Sequence, residues 1–373
     1  MLRIYKILQT GILALLMTSR VLVASAGTQL YPNAVQLNHK NFDPAKKEIC
    51  RLSFRLSQTS TAVVNIYNFL GERTATLFNG RVKKNSWQRV TWKGLDNAGK
   101  PVSPGVYYYT ITLKNKEASM IYNPYPETHG HLLSIFQGGY DEKNNQIYFK
   151  LPQAAMVRVR INIKKGGPIM ATPLDWTPLA AGEYRFPWDG KDVSGLIDLK
   201  NHPERNIMIY AYSLADNSIV VAGEQERPDR LFMILDESTM AQREFPLTLP
   251  PDRYLHARKD PRLNRAARIE VAFPNAEMNE GVPILSDKAP VRVSIDPRDQ
   301  WIAEMSRYEL MFYVDTIVVF EDESGFAPFT YYLNTKDLVP GEHVLTVNLL
   351  TYEDHYATIS RKIIIRHENE KKT

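Results

Sequence analysis

Residues Trp92 to Ile111 read WKGLDNAGKPVSPGVYYYTI, and this stretch decides the fold. The run ahead of it, Ser86 to Val90, is extended in pattern and ends on Trp92, a ring large enough to anchor a sandwich core. Gly94 and Gly99 bracket Asp96 and Asn97; glycine takes a positive φ at little cost, and Asp or Asn side chains bond back to turn backbone. Pro104 punctuates the loop, and Gly105 to Leu113, with Tyr107 near its start, is rich in Tyr, Thr, Ile and Val, as strands are. The reading is strand, glycine-framed corner, strand. Calcium ligation is the other role open to Asp96 and Asp189, but neither loop has the alternating carboxylates of a calcium loop, so a turn role is expected.

The first half of the stretch returns as WDGKDVSG, so Trp188, Gly190, Asp192 and Gly195 repeat Trp92, Gly94, Asp96 and Gly99 at a spacing of 96. Upstream, Phe54, Leu56 and Gln58 recur as Phe149, Leu151 and Gln153 at a spacing of 95. Two copies of one β-module are therefore expected, at 48–116 and 145–223, joined by a Tyr- and Pro-rich linker over 117–144 and preceded by a polar extension over 27–47. A third module is expected at 269–366, where Tyr308, Leu310, Phe312 and Val314 form one apolar face and Leu345, Val347 and Leu349 another. Strands at roughly ten-residue intervals without helical periodicity predict an all-β chain of tandem Ig-like or fibronectin-like sandwiches. A long connector, 224–268, lies before the third module, and 367–373 is a charged tail. Connectors of that length are usually functional or mobile, so Phe232 to Arg265 is one candidate partner-binding segment, with a short helix expected over Glu237 to Glu244.

Within the second module, Val157, Val159, Ile161 and Ile163 alternate with Arg158, Arg160, Asn162 and Lys164. The apolar set belongs in a core. The basic set reads as a solvated face, with an acidic partner or anionic glycan as the alternative.

The pattern F-x-L-x-Q, an alternating strand, W-x-G-x-D-x-x-G and G-x-Y resembles the Ig-like domain of the flagellar hook-capping protein and related modules of secreted bacterial proteins. The resemblance covers Glu48 to Asn115 well and Asn145 to Gly223 less well, and it implies a spacer or scaffold. Pro340 to Val347, in the third module, resembles the late hairpin of bacterial Ig-like or fibronectin-type modules. The chain has an export leader and no hook-binding N-terminal region, so no flagellar role is carried over.

That leader is Arg3 and Lys6, the apolar run Gly11 to Met17, and Ala24-Ser25-Ala26, which predicts a signal peptide over 1–26 cleaved between Ala26 and Gly27. The uncharged run Ile7 to Ser19 is short for a bilayer span, so no stable membrane span is expected after processing. The formal net charge of +5 includes Arg3, Lys6 and Arg20; without those three, 43 of the 46 basic residues face 41 acidic ones, which excludes an electrostatic case for nucleic acid. Cys50 is the only cysteine and lies beside an alternating strand, so an inert buried thiol is expected.

No nucleophile elbow, phosphate loop or H-E-x-x-H is present. His129 and His131 alone make a poor metal site, and Glu321 to Gly325 reads as a charged hairpin loop. The expectation is an exported, non-enzymatic scaffold without cofactor or metal, periplasmic or on the cell surface, whose partner is another envelope or extracellular protein. A glycan-binding adhesin using Tyr107 to Tyr109, Trp176, Trp301 or Tyr331 and Tyr332, or an accessory subunit of a secreted enzyme complex, are the alternatives. A row of exposed coplanar aromatics would favour the adhesin; an exposed strand edge would favour docking of protein.

Overall fold

The computed structural model describes residues 32–69, 71–116, 119–123, 132–134, 137–223, 266–305, 307–352 and 354–367. The signal cleavage site at Ala26 and Gly27, the pair His129 and His131, and the connector helix expected over 237–244 lie outside them.

Module 1 is a sandwich of two sheets. One is ordered β1-β3-β6, from β1 (Pro32–Leu37), β3 (Cys50–Leu56) and β6 (Trp87–Trp92). The other contains β2 (Asn41–Phe42), β4 (Ser60–Asn68), β5 (Arg73–Val82) and β7 (Gly105–Lys114), with β8 (Ser119–Tyr122) on one end of β7. The strands form where the sequence alternates: Cys50, Leu52, Phe54 and Leu56 are buried, while Arg51, Ser53 and Arg55 face out. The stretch read as a polar extension supplies β1, which pairs with β3, and β2, whose Phe42 meets Trp92 edge-on at 5.5 Å.

Module 2 repeats the plan. Its small sheet is β9 (Gly138–Asp141), β10 (Gln146–Leu151) and β13 (Gly182–Pro187), and its larger one β12 (Ile169–Leu179), β11 (Ala155–Ile163) and β14 (Arg205–Ser213). The repeat is thus one of topology as well as of sequence: β10, β11, β12, β13 and β14 stand where β3, β4, β5, β6 and β7 stand in module 1. The strand β15 (Ser218–Val221) then leaves module 2 and enters module 1, antiparallel to β7 and parallel to β2. Ile219 and Val221 are buried in the module 1 core, so the two modules share a sheet.

Module 3 packs β16 (Ile269–Ala272), β19 (Lys288–Ile295) and β22 (Phe329–Asn334) against a six-stranded sheet. That sheet runs β17 (Glu277–Asn279), β18 (Val282–Leu285), β24 (Tyr356–Ile365), β23 (Gly341–Thr351), β20 (Tyr308–Val314), β21 (Ile317–Asp322). A short helix, α1 (Gln300–Met305), joins β19 to β20. At its entry Arg268 makes paired bonds of 2.8 and 2.9 Å to the buried Asp299, fixing where the module begins. Leu310, Phe312, Val314, Leu345, Val347 and Leu349 form its core as the alternation predicts, each buried apolar side chain contributing about 1.5 to 3 kcal/mol. The chain is all-β, a tandem of Ig-like, fibronectin-like sandwiches. No helix among the described residues is long and apolar enough to cross a membrane.

Candidate functional site

The repeated corner does one structural job twice. Trp92 is buried and its Nε1 donates to Leu95 O at 2.8 Å; Trp188 Nε1 donates to Lys191 O at 3.0 Å. Asp96 Oδ1 accepts from the amides of Ala98 and Lys100, both at 2.8 Å, and Asp192 accepts from Ser194, Leu196 and Ile197. Asp189 Oδ1 accepts from Lys191 N at 3.0 Å. These carboxylates are turned onto backbone amides, the Asx-turn geometry the sequence implied. Gly94 and Gly190 have φ of +71° and +81°, Gly99 and Gly195 +78° and +70°, and Gly105 opens β7. Tyr107 lies edge-on to Trp92 and its hydroxyl donates to Ser103 O at 2.7 Å; burial pushes its pKa up to about 12. Burial likewise pushes the Cys50 thiol up to about 12, which keeps it protonated and inert.

The corner has a second role that the sequence reading missed. It caps the start of the free edge of the outermost strand of the larger sheet. In module 1, Asn97 N donates to Thr74 O of β5 at 3.2 Å, and Thr76 N donates to Asn97 Oδ1 at 2.9 Å. In module 2, Val193 N donates to Met170 O of β12 at 3.0 Å, both partners displaced by the same 96 positions. Unpaired strand edges invite further strands, and here the corner occupies the first residues of each edge.

The edge of β12 is covered again by module 3. Asn348 bonds the backbone N and O of Ile169 at 2.9 and 2.8 Å, and Thr358 donates to the same carbonyl at 2.9 Å. Beside this seam the two arginines of the β11 basic stripe are not solvated, contrary to the sequence reading, while Lys164 is exposed as expected. Arg158 and Arg160 are only 6% and 4% exposed. Both guanidinium groups bond Asp354, at the turn between β23 and β24, Arg160 at 3.0 Å. Arg158 stacks over Trp176 and Tyr210, and Arg160 over Tyr356 at 3.9 Å. Asp175 of β12 meets the ring of the buried His355 at 2.5 Å. Charges that look outward-facing in β11 alone are desolvated by a module nearly two hundred residues away.

Module 3 lacks the corner. Its β22-to-β23 connection is residues 335–340, against 93–104 and 188–204 in the other modules, and it folds toward Asp287 through Thr335. The strand that takes the place of β5 and β12 is β21. Among the described residues no strand pairs with its outer edge. Ile317 and Val318 on it are 69% and 49% exposed, and a bulge at Val319 accepts from Tyr331 Oη at 3.5 Å. This open edge is the candidate interaction surface.

The aromatics considered for glycan stacking do not form an exposed row. Tyr107, Tyr108 and Tyr109 are buried; Trp176, Trp301 and Tyr331 are half-buried, with Tyr331 stacked on Phe320 at 4.5 Å; Tyr332 is exposed. Among the described residues one cleft opens on module 3 and another between module 3 and Ser194 and Leu196 of the module 2 corner. One, of about 280 Å³, contains the carboxylate of Glu277, paired with Arg366 at 2.9 Å; the other, of about 610 Å³, is lined by Phe273, Met278 and Lys362 among others, with no carboxylate or histidine.

No family model and no curated protein matches the chain. Among solved structures it is similar to the fibronectin(III)-like modules of Clostridium thermocellum CbhA, at 9% identity over 91% of this chain and 98% of that one, with a TM-score of 0.21. A tetra-tandem repeat from the extending region of a large adhesion protein matches at 11% identity over 89% and 73%, TM-score 0.19. A bacterial ice-binding adhesin matches at 12% over 91% and 100%, TM-score 0.19. At such scores whole chains do not superpose, and the likeness carries no functional information.

Proposed function

We propose that this protein is an exported, non-enzymatic scaffold of the bacterial envelope or cell surface that docks another protein along a strand edge. The observation that carries the reading is the contrast between modules: the corner caps the start of β5 and β12, while among the described residues nothing caps the outer edge of β21. Exposed strand edges bind extended segments by main-chain hydrogen bonds, with side chains setting specificity. The buried seam between modules 2 and 3 supports a scaffold role, since it holds the open edge in a fixed direction. The packing of the aromatics supports protein docking over glycan stacking. Export rests on the leader at 1–26, and the finer likeness to the hook-capping Ig-like domain rests on the repeated corner.

Crosslinking and pull-down of the tagged full chain from envelope fractions tests the reading. A reproducible protein partner is expected. Binding to purified polysaccharide with no protein captured would overturn it in favour of the adhesin.

A further inference from the structure

The chemistry around β21 narrows the partner, given the docking function proposed above. Residues 315–325 read DTIVVFEDESG, with Asp315, Glu321, Asp322 and Glu323 and no lysine or arginine. Ser324 donates to both oxygens of Asp322 at 2.7 Å, and Asp315 bonds His343, but Glu321 and Glu323 are exposed. On the adjoining strand the half-buried Glu309 adds to the field: burial and the nearby Glu321 and Glu323 hold its carboxyl above the ordinary range. The edge is thus apolar at Ile317 and Val318 and acidic at its far end.

That distribution opposes a second copy of the chain. Two β21 strands paired antiparallel about Val319 set Ile317 of one copy against Glu321 of the other, twice, and bring the flanking acids Asp315 and Glu323 together at both ends. Like charges facing across strands destabilise; within 315–325 there is no lysine or arginine to offset them, and of these acids His343 engages only Asp315. We infer that the β21 edge takes an extended segment of a different protein, with β-branched residues beside Ile317 and Val318 and lysine or arginine beside Glu321 and Glu323.

The test uses the full chain and two synthetic peptides of alternating valine and threonine, one ending in lysines and the other in glutamates. The lysine peptide is expected to slow amide exchange at 317–322, with affinity falling about five-fold between ionic strengths of about 0.01 M and 0.15 M. The glutamate peptide is expected to leave exchange unchanged. The double variant E321K/E323K is expected to reverse the preference, and V318K, a charge on an exposed edge position, to weaken both peptides. Equal binding of the two peptides overturns the inference. So does protection of 317–322 that rises with protein concentration alone, which means self-pairing, or protection at every concentration without peptide, which means another part of the chain covers the edge. The pull-down separates this inference from the function it rests on. A partner captured equally by the wild type and E321K/E323K docks elsewhere and sinks only the edge assignment, whereas no partner for either sinks the scaffold reading.

Discussion

Arg160 of module 2 lies 3.0 Å from the carboxylate of Asp354 in module 3, and its guanidinium stacks on Tyr356, which is two residues further along the chain from that acid. Arg158 converges on the same carboxylate. One acid on a turn is therefore the direct carboxylate partner of two arginines that are almost fully out of water, and it ties module 3 to module 2.

Removing that charge takes away the direct carboxylate partner of two buried guanidinium groups and leaves them the Asp354 carbonyl and the field of Asp175. D354N is expected to weaken the module 2–3 seam by about 1 to 3 kcal/mol, below the range for a fully buried pair because the Asp354 side chain is 43% exposed. Small-angle scattering should show a larger radius of gyration for D354N. An unchanged scattering curve and melting profile would show that Asn348 and Thr358 hold the seam without the ion pair.

The same acid sets a pH response. Burial alone would raise the Asp354 carboxyl, but Arg160 and Arg158 outweigh it and hold the group below its ordinary value of 3.8. A depressed acid stabilises the folded state fully above its unfolded pKa and loses that contribution as pH falls through the lower, folded value. The seam should be constant from neutral pH to about 5 and loosen below about 3.8, with the step absent in D354N. Scattering across a pH series reads this directly, and loosening near pH 6 would assign control to another group.

How far the sequence could be read follows from what its patterns encode. Alternation in β3, β11 and β20 reports which face meets the module's own core, and Trp92 with Gly94 and Asp96 reports a corner, because both are local. The same alternation marks Arg158 and Arg160 only as facing away from that core. Whether water or another module lies there depends on Asp354 and Tyr356, which no local pattern links to β11. Aromatics at Trp176 and Tyr210, on the strands flanking the arginines, were the available sign, since guanidinium groups stack on rings. The edge-closing role of Asn97 was hidden for a related reason: a loop's partner strand is set by topology, here Thr74 on β5. The β21 edge is legible only as an absence, a connection too short to carry a corner.

The shared sheet predicts that damage to a strand following module 2 unfolds module 1. Ile219 of β15 is 1% exposed in the module 1 core, next to the strand that holds Tyr107. I219A should cost about 2 to 4 kcal/mol, as large-to-small core changes do, and should act on Trp92 emission before Trp188 emission. Single-tryptophan versions of the protein separate the two signals; loss of the Trp188 signal first would place β15 energetically in module 2.

The corner of module 1 meets β5 partly through a side chain, whereas the corner of module 2 meets β12 through backbone alone. N97A removes the acceptor of Thr76 N and should cost about 1 kcal/mol, with faster amide exchange at Thr76. V193A keeps the amide that bonds Met170 O, so exchange along β12 should hold steady. Equal acceleration in both variants would show that loop packing, not these hydrogen bonds, closes the edges.

Two glycines of the corner separate backbone strain from crowding. At Gly99, φ is +78° and an added Cβ meets nothing within 4 Å, so G99A costs only the left-handed conformation, about 1 to 2 kcal/mol. At Gly94, φ is +71° and an added Cβ falls 2.6 Å from Pro44 Cγ, in the segment that carries Phe42 onto Trp92. G94A adds that overpacking to the same conformational cost, for a total of about 2 to 5 kcal/mol. A melting temperature lower for G94A than for G99A, with Trp92 emission shifted to the red only in G94A, is the expected result. Equal losses in the two variants would mean that the segment around Pro44 yields freely, and that the lead-in before β3 does not hold the corner.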